Sequence, residues 1–63
     1  MIRGVYSHTK TGNEYFVKGT VIDKTNERDG EILVLYHPNG DEEKLCVREL
    51  NEFFAKFKFE RKY

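Results

Sequence analysis

The chain has 63 residues, a length at which only about 60% of the unfolded surface is buried on folding, so one small domain is expected over residues 1–63. Eleven Lys plus Arg against eleven Asp plus Glu give a formal charge of zero, which excludes a strongly basic nucleic-acid binder of the histone kind and an acidic mimic alike. Five Phe and four Tyr supply enough bulky apolar matter to close a core, and the one Cys excludes both an intramolecular disulfide and a thiolate metal cluster, so packing must hold the fold.

Glycines and turn residues divide the chain into short apolar runs about ten residues apart, the spacing of a small all-β barrel. The first run, Ile2 to His8, predicts a strand with Tyr6 and His8 on one face and Val5 on the other. It stops at Thr9-Lys10-Thr11-Gly12-Asn13, whose Gly and Asn suit a turn. The second run, Glu14 to Asp23, carries Tyr15, Val17, Gly19 and Val21 on the face expected to enter the core. Gly19 in mid-strand marks a bulge or bend of the kind a long strand needs to curl around a barrel. The polar stretch Lys24 to Gly30 predicts an exposed loop. Glu31 to His37 has an unbroken apolar centre, Ile32-Leu33-Val34-Leu35-Tyr36, and predicts the central strand. Pro38-Asn39-Gly40-Asp41 supplies a turn, and Glu42 to Val47 its antiparallel partner, with Leu45 and Val47 sharing a face.

The C-terminal segment fits two templates. Leu50, Phe53, Phe54 and Phe57 make the stripe of an amphipathic helix, while Phe53, Ala55, Phe57 and Phe59 alternate with Lys56 and Lys58 as a strand would. A single helical turn over about Arg48 to Phe53, then a fifth strand over about Phe54 to Phe59, is favoured because a last strand covers an otherwise open sheet edge. A continuous helix capping the barrel is the alternative. The expected fold is all-β, a five-stranded antiparallel barrel with one short helical turn before the last strand. Its expected core is Val17, Val21, Ile32, Val34, Leu45, Val47, Leu50 and Phe57.

In order along the chain, Gly4, Tyr6, His8, Lys10 and Gly12, then Tyr15, Val17 and Gly19, resemble the opening of a bacterial domain family of unknown function, number 1653. That opening reads roughly Gly-x-Tyr-x-His-x-Lys-x-Gly. The likeness continues through Val34-Leu35-Tyr36, Gly40-Asp41, Val47-Arg48, Leu50 and Phe53. Where the family usually has Trp-Val-Arg-Pro, this chain has Cys46-Val47-Arg48-Glu49 and lacks the large aromatic and the proline. The resemblance implies a compact SH3-like β-barrel and brings no activity with it.

Tyr6 and His8 share a strand face and Lys10 follows at the turn, so a phenol, an imidazole and an ammonium can converge on a small anionic or polar ligand. The plainer reading packs Tyr6 in the core and ties His8 to a turn carbonyl. Arg48 joins this group because the turn after the fourth strand and the first strand lie at adjacent edges of an SH3-like barrel, and the resemblance matches Tyr6, His8 and Arg48 alike. Tyr6, Tyr15, Phe16 and Tyr36 are candidates for an aromatic contact surface.

Other constellations read as structural. His8, His37 and Cys46 lack the paired spacings of a zinc site, so no metal is expected. Cys46 inside a predicted strand is an ordinary buried thiol. Asp41-Glu42-Glu43 alternate faces and read as a solvated hairpin end. The glycines form no phosphate cradle, and no cofactor is expected. Lys56, Lys58, Arg61 and Lys62 make a basic tail against locally acidic residues 40–52, a dipolar layout that suits a monomer or a weak, salt-sensitive homodimer.

No basic start with an apolar run of about 7–15 residues, nor a span of roughly 20, is present, so no membrane association and a cytoplasmic location are expected. The expected function is a non-enzymatic binding module that meets a small anionic or polar ligand, or a protein partner, through Tyr6, His8, Lys10, Tyr15, Tyr36 and Arg48. The alternatives are a nucleic-acid-associated barrel using the basic tail and a small enzyme using His8 as acid or base.

Overall fold

The structure, a computed structural model, describes residues 3–24 and 30–63. Strands β1 (Gly4–His8), β2 (Glu14–Asp23), β3 (Glu31–Pro38) and β4 (Cys46–Glu49) precede a short helix α1 (Leu50–Lys56) and strand β5 (Phe57–Arg61). The strands form one antiparallel sheet in the order β4-β3-β2-β1-β5. Helix α1 packs against β3, β4 and β5, joining the two edge strands. This is the expected all-β, SH3-like arrangement, with the helix before the last strand. The expected strand start at Ile2, and residues 25–29 of the expected loop, lie outside the described residues.

Local chemistry accounts for most boundaries. The β1–β2 turn closes through the Gly12 N–H to the His8 carbonyl at 2.8 Å, with Gly12 at φ +78. At Gly19 the β2–β3 register slips between Val17 and Gly19, the bulge that a mid-strand glycine predicts. Glu49 caps α1, its carboxylate accepting from the Asn51 and Glu52 N–H groups at 3.0 Å each.

Some boundaries and the place of one strand in the sheet differ from expectation. β4 starts at Cys46 rather than Glu42, because residues 41–44 are taken up by turn bonds, from the Asp41 N–H to the Pro38 carbonyl at 3.1 Å and from the Lys44 N–H to the Asp41 carbonyl at 3.3 Å. α1 runs on to Lys56, which delays β5 to Phe57; one further helical turn lets Phe53 and Phe57 stack, with centroids 4.3 Å apart and planes 7° from parallel. β3 is an interior strand, yet β2 occupies the middle, because β1 folds back along the free side of β2.

The core is aromatic. Tyr6, Val17, Val34, Tyr36, Phe53 and Phe57 form one buried cluster, with Tyr15, Cys46 and Leu50 half-buried against it. Val17, Val34 and Phe57 are buried as expected, whereas Val21 (39% exposed), Ile32 (43%), Leu45 (58%) and Val47 (54%) are not core. The Gly19 bulge explains Val21: beyond it Thr20, not Val21, pairs with buried Val34, so Val21 turns outward beside Leu33. Ile32 pairs with exposed Ile22 and stays uncovered, Leu45 precedes β4, and Val47 pairs with Leu35 on the outer face, leaving the inner positions of β4 to Cys46 and Arg48.

A thinner layer covers part of the outer face. Val5, Ser7 and His37 are buried there. Ser7 Oγ donates to Glu60 Oε2 at 2.5 Å, and His37 Nδ1–H donates to the Pro38 carbonyl at 2.9 Å. Arg61 grips Glu14 with two bonds of 3.0 and 3.2 Å, a fork that draws the Glu14 carboxyl below its usual range. The Tyr63 ring stacks on Phe16 at 5.1 Å and its hydroxyl donates to the Val17 carbonyl at 2.9 Å.

Candidate ligand-binding site

Four of the six residues singled out from sequence gather around one ring. His8 and Tyr15 meet Phe57 edge-on at 5.0 and 5.2 Å, Tyr36 lies tilted to it at 5.5 Å, and the Arg48 guanidinium lies 5.9 Å from the same ring. The sheet register explains the gathering: His8 is opposite Phe57, Tyr15 follows the β1–β2 turn, and Tyr36 is opposite Cys46 on the inner face. Tyr6 lies deeper, edge-on to Phe53 at 5.2 Å and Phe59 at 5.4 Å, and burial raises its phenol above the usual range. Lys10 stands exposed in the turn.

Polar atoms of this group are largely engaged. Arg48 Nε donates to the Tyr36 hydroxyl at 3.2 Å, and the guanidinium reaches Glu52 at 3.7 Å. The Tyr36 hydrogen bond leads in holding the guanidinium above its ordinary range, with Tyr36 and Glu52 electrostatics behind it. His8 Nδ1 accepts from the Lys10 N–H at 3.2 Å, a turn N–H where a turn carbonyl was expected. The open sides of His8 and Arg48 face different hollows. His8 borders one of about 350 Å³ that includes Glu14, Lys58 and Glu60, and Arg48 one of about 560 Å³ that includes Glu31, Glu49 and Glu52. Carboxylates line both, so neither hollow favours an anion.

A third hollow has the opposite character. Arg3, Phe59, Lys62 and Tyr63 enclose about 320 Å³, with two cations and two aromatic rings. No Asp or Glu side chain lines it among the described residues. Phe59 and Tyr63 are half exposed, at 51% and 49%. Both rings are held from behind: Phe59 by the edge of Tyr6 at 5.4 Å, and Tyr63 by Phe16 and by its bond to Val17. The Arg3 guanidinium sits 5.0 Å from the Tyr63 centroid, a cation–π contact that holds the charge over the ring. Antiparallel pairing of β1 with β5 brings Arg3, just before β1, to Lys62 and Tyr63, just after β5.

In the sequence Lys62 reads as part of a basic tail and Phe59 as a strand residue, and neither Arg3 nor Tyr63 stands out. The available signal was the spacing Phe59, Arg61, Lys62, Tyr63, in which rings and cations sit together at the end of a strand. Among the described residues no group of three His, Cys, Asp or Glu side chains is placed to hold a metal ion, and no helix is long and apolar enough to cross a membrane. Comparison of the chain with protein-family models, with curated proteins and with solved structures gave no match.

Proposed function

We propose that this domain is a non-enzymatic binding module whose ligand is an anion carrying a flat ring, the chemistry of a nucleotide or a short single strand of nucleic acid. The observation that carries this reading is the Arg3, Phe59, Lys62 and Tyr63 hollow, where two cations and two half-exposed, back-supported rings meet without an Asp or Glu side chain among the described residues. Its volume of about 320 Å³ suits one nucleobase with its phosphate. Base stacking on an exposed ring contributes about 1–3 kcal/mol, and the cations add attraction to phosphate that salt screens. The Tyr15, Tyr36 and Arg48 group then supports the barrel rather than the ligand. A bacterial, cytoplasmic domain akin to family 1653 is part of the same proposal. The reading as a binder rather than a catalyst is supported by His8, whose Nδ1 is engaged by the turn, and by Cys46, whose thiol faces the Lys44 carbonyl at 3.5 Å.

The test is fluorescence anisotropy with a labelled oligo-uridine and a labelled adenosine nucleotide over a range of salt. Binding is expected, and its logarithm should fall against log salt with a slope of about −1.4 if each of two cations meets one phosphate of a single strand. Lys62→Gln, at an exposed position, should reduce that slope by about half without altering the melting temperature. Phe59→Ala should weaken binding by about five- to 150-fold. No binding of either probe at millimolar concentration and low salt, or binding indifferent to both substitutions, would remove the proposal.

A further inference from the structure

The two edges of the sheet are unlike. Along β5, exposed Lys58 alternates with Phe59, Arg61 is tied to Glu14, and the β1–β5 register shifts between Val5 and Tyr6. Lysines and irregular register are the devices that keep a strand edge from pairing with another chain. β4 has neither of these two and is guarded only by its shortness and by inward-facing Arg48: its sequence Cys46-Val47-Arg48-Glu49 contains no Lys or Pro, and its register with β3 runs without a shift. Its outward side chain Val47 is 54% exposed, and Leu45 just before it is 58% exposed. Val47 continues an outer-face apolar strip, since it pairs with Leu35, and Leu33 beside Leu35 pairs with exposed Val21.

We propose that a second copy of this chain pairs with the first through β4, antiparallel and centred on Val47, making one continuous sheet of the two. Opposed residues in an antiparallel pair share a face, so a two-fold symmetric pairing must centre on a residue and not between two. Charge selects which residue. Centring on Arg48 sets Arg48 against its own copy, and centring on Cys46 sets Lys44 against Arg48 of the copy, both like-charge pairs. Centring on Val47 places Val47 against Val47, Cys46 against Arg48, and Leu45 against Glu49, with no like charges opposed. The zero net charge removes the general repulsion between copies. A four-residue edge gives a weak dimer, held by backbone bonds and apolar contact rather than by the attraction between hairpin and tail.

Sedimentation equilibrium on the intact chain tests this. A monomer–dimer equilibrium that persists as salt is raised is expected, and Val47→Lys, which keeps its outward position, should raise the dissociation constant by about tenfold or more with an unchanged melting temperature. Oxidative cross-linking tests the register: a Cys46→Ser, Val47→Cys chain should form covalent dimer far faster than a Cys46→Ser, Ala55→Cys control, whose thiol lies on exposed α1. A chain monomeric at millimolar concentration, a dimer lost on adding salt, a Val47→Lys chain that associates like the parent, or equal cross-linking of the two cysteine variants would each overturn the proposal.

Discussion

Replacing Phe53 by alanine is expected to cost about 3–5 kcal/mol, most of the stability of so small a domain, for which about 3–9 kcal/mol is available in total. Phe53 is fully buried and touches four aromatic neighbours: Phe57 face to face, Tyr6 and Tyr36 at 5.2 and 5.3 Å, and Phe54 at 5.8 Å. Its removal leaves a hollow that those rings, fixed to three strands and a helix, are poorly placed to fill. The contrast is Leu45→Ala, where the side chain is 58% exposed and the change should stay within about 0.5 kcal/mol. Thermal and urea denaturation of both variants check the pair. A Phe53→Ala chain melting within a degree of the parent, or a Leu45→Ala chain as damaged as Phe53→Ala, would show that the core has been misplaced.

Gly4→Ala is the second large effect, expected at about 1–3 kcal/mol. The φ of Gly4 is not positive, so the backbone tolerates any residue and the obstacle is space alone. A Cβ there would stand 2.7 Å from Phe59 Cε1 and 2.9 Å from the Arg61 carbonyl oxygen. The ring can swing, but the carbonyl belongs to a paired strand and cannot move without loosening β1 from β5. The same substitution should displace Phe59 from the hollow it lines, so ligand binding and stability fall together, whereas Lys62→Gln should lower binding alone. Denaturation midpoints and oligonucleotide affinity, measured side by side, decide it; an undisturbed Gly4→Ala chain would contradict the packing of β1 on β5.

Much of the fold was written in local chemistry. Gly12 and Gly40 punctuate turns, Gly19 announces a bulge, and the apolar run at Ile32 to Tyr36 marks an interior strand, all readable because the reason lies within a few residues. The facing of side chains past that bulge was not readable, since one inserted residue exchanges inside for outside and turned Val21 outward. Tyr6 and Tyr36 look like ligand groups in a sequence because they carry hydroxyls; in the fold their rings fill the core. The helix outlasted its expected turn because the Phe53–Phe57 stack rewards it, an i, i+4 contact that the helical template contained and the strand template could not offer. The ring-and-cation hollow joins Arg3 to Lys62 and Tyr63, residues from opposite ends of the described chain, so no window of sequence contains it.

The pairing of β1 with β5 has a kinetic consequence. Ser7 and Glu60, bonded across it, are 53 residues apart in the chain, whereas β2, β3 and β4 follow one another at short separations along the chain. Closing so long a loop costs entropy before any contact returns it, so the β2–β3–β4 meander is expected to form early and β1 to seal against β5 late. The hollow between Arg3 and Tyr63 therefore exists only after the final closure. An occupant there grips the molecule on the native side of the folding barrier: it slows unfolding in proportion to its affinity and leaves the rate of folding where it was.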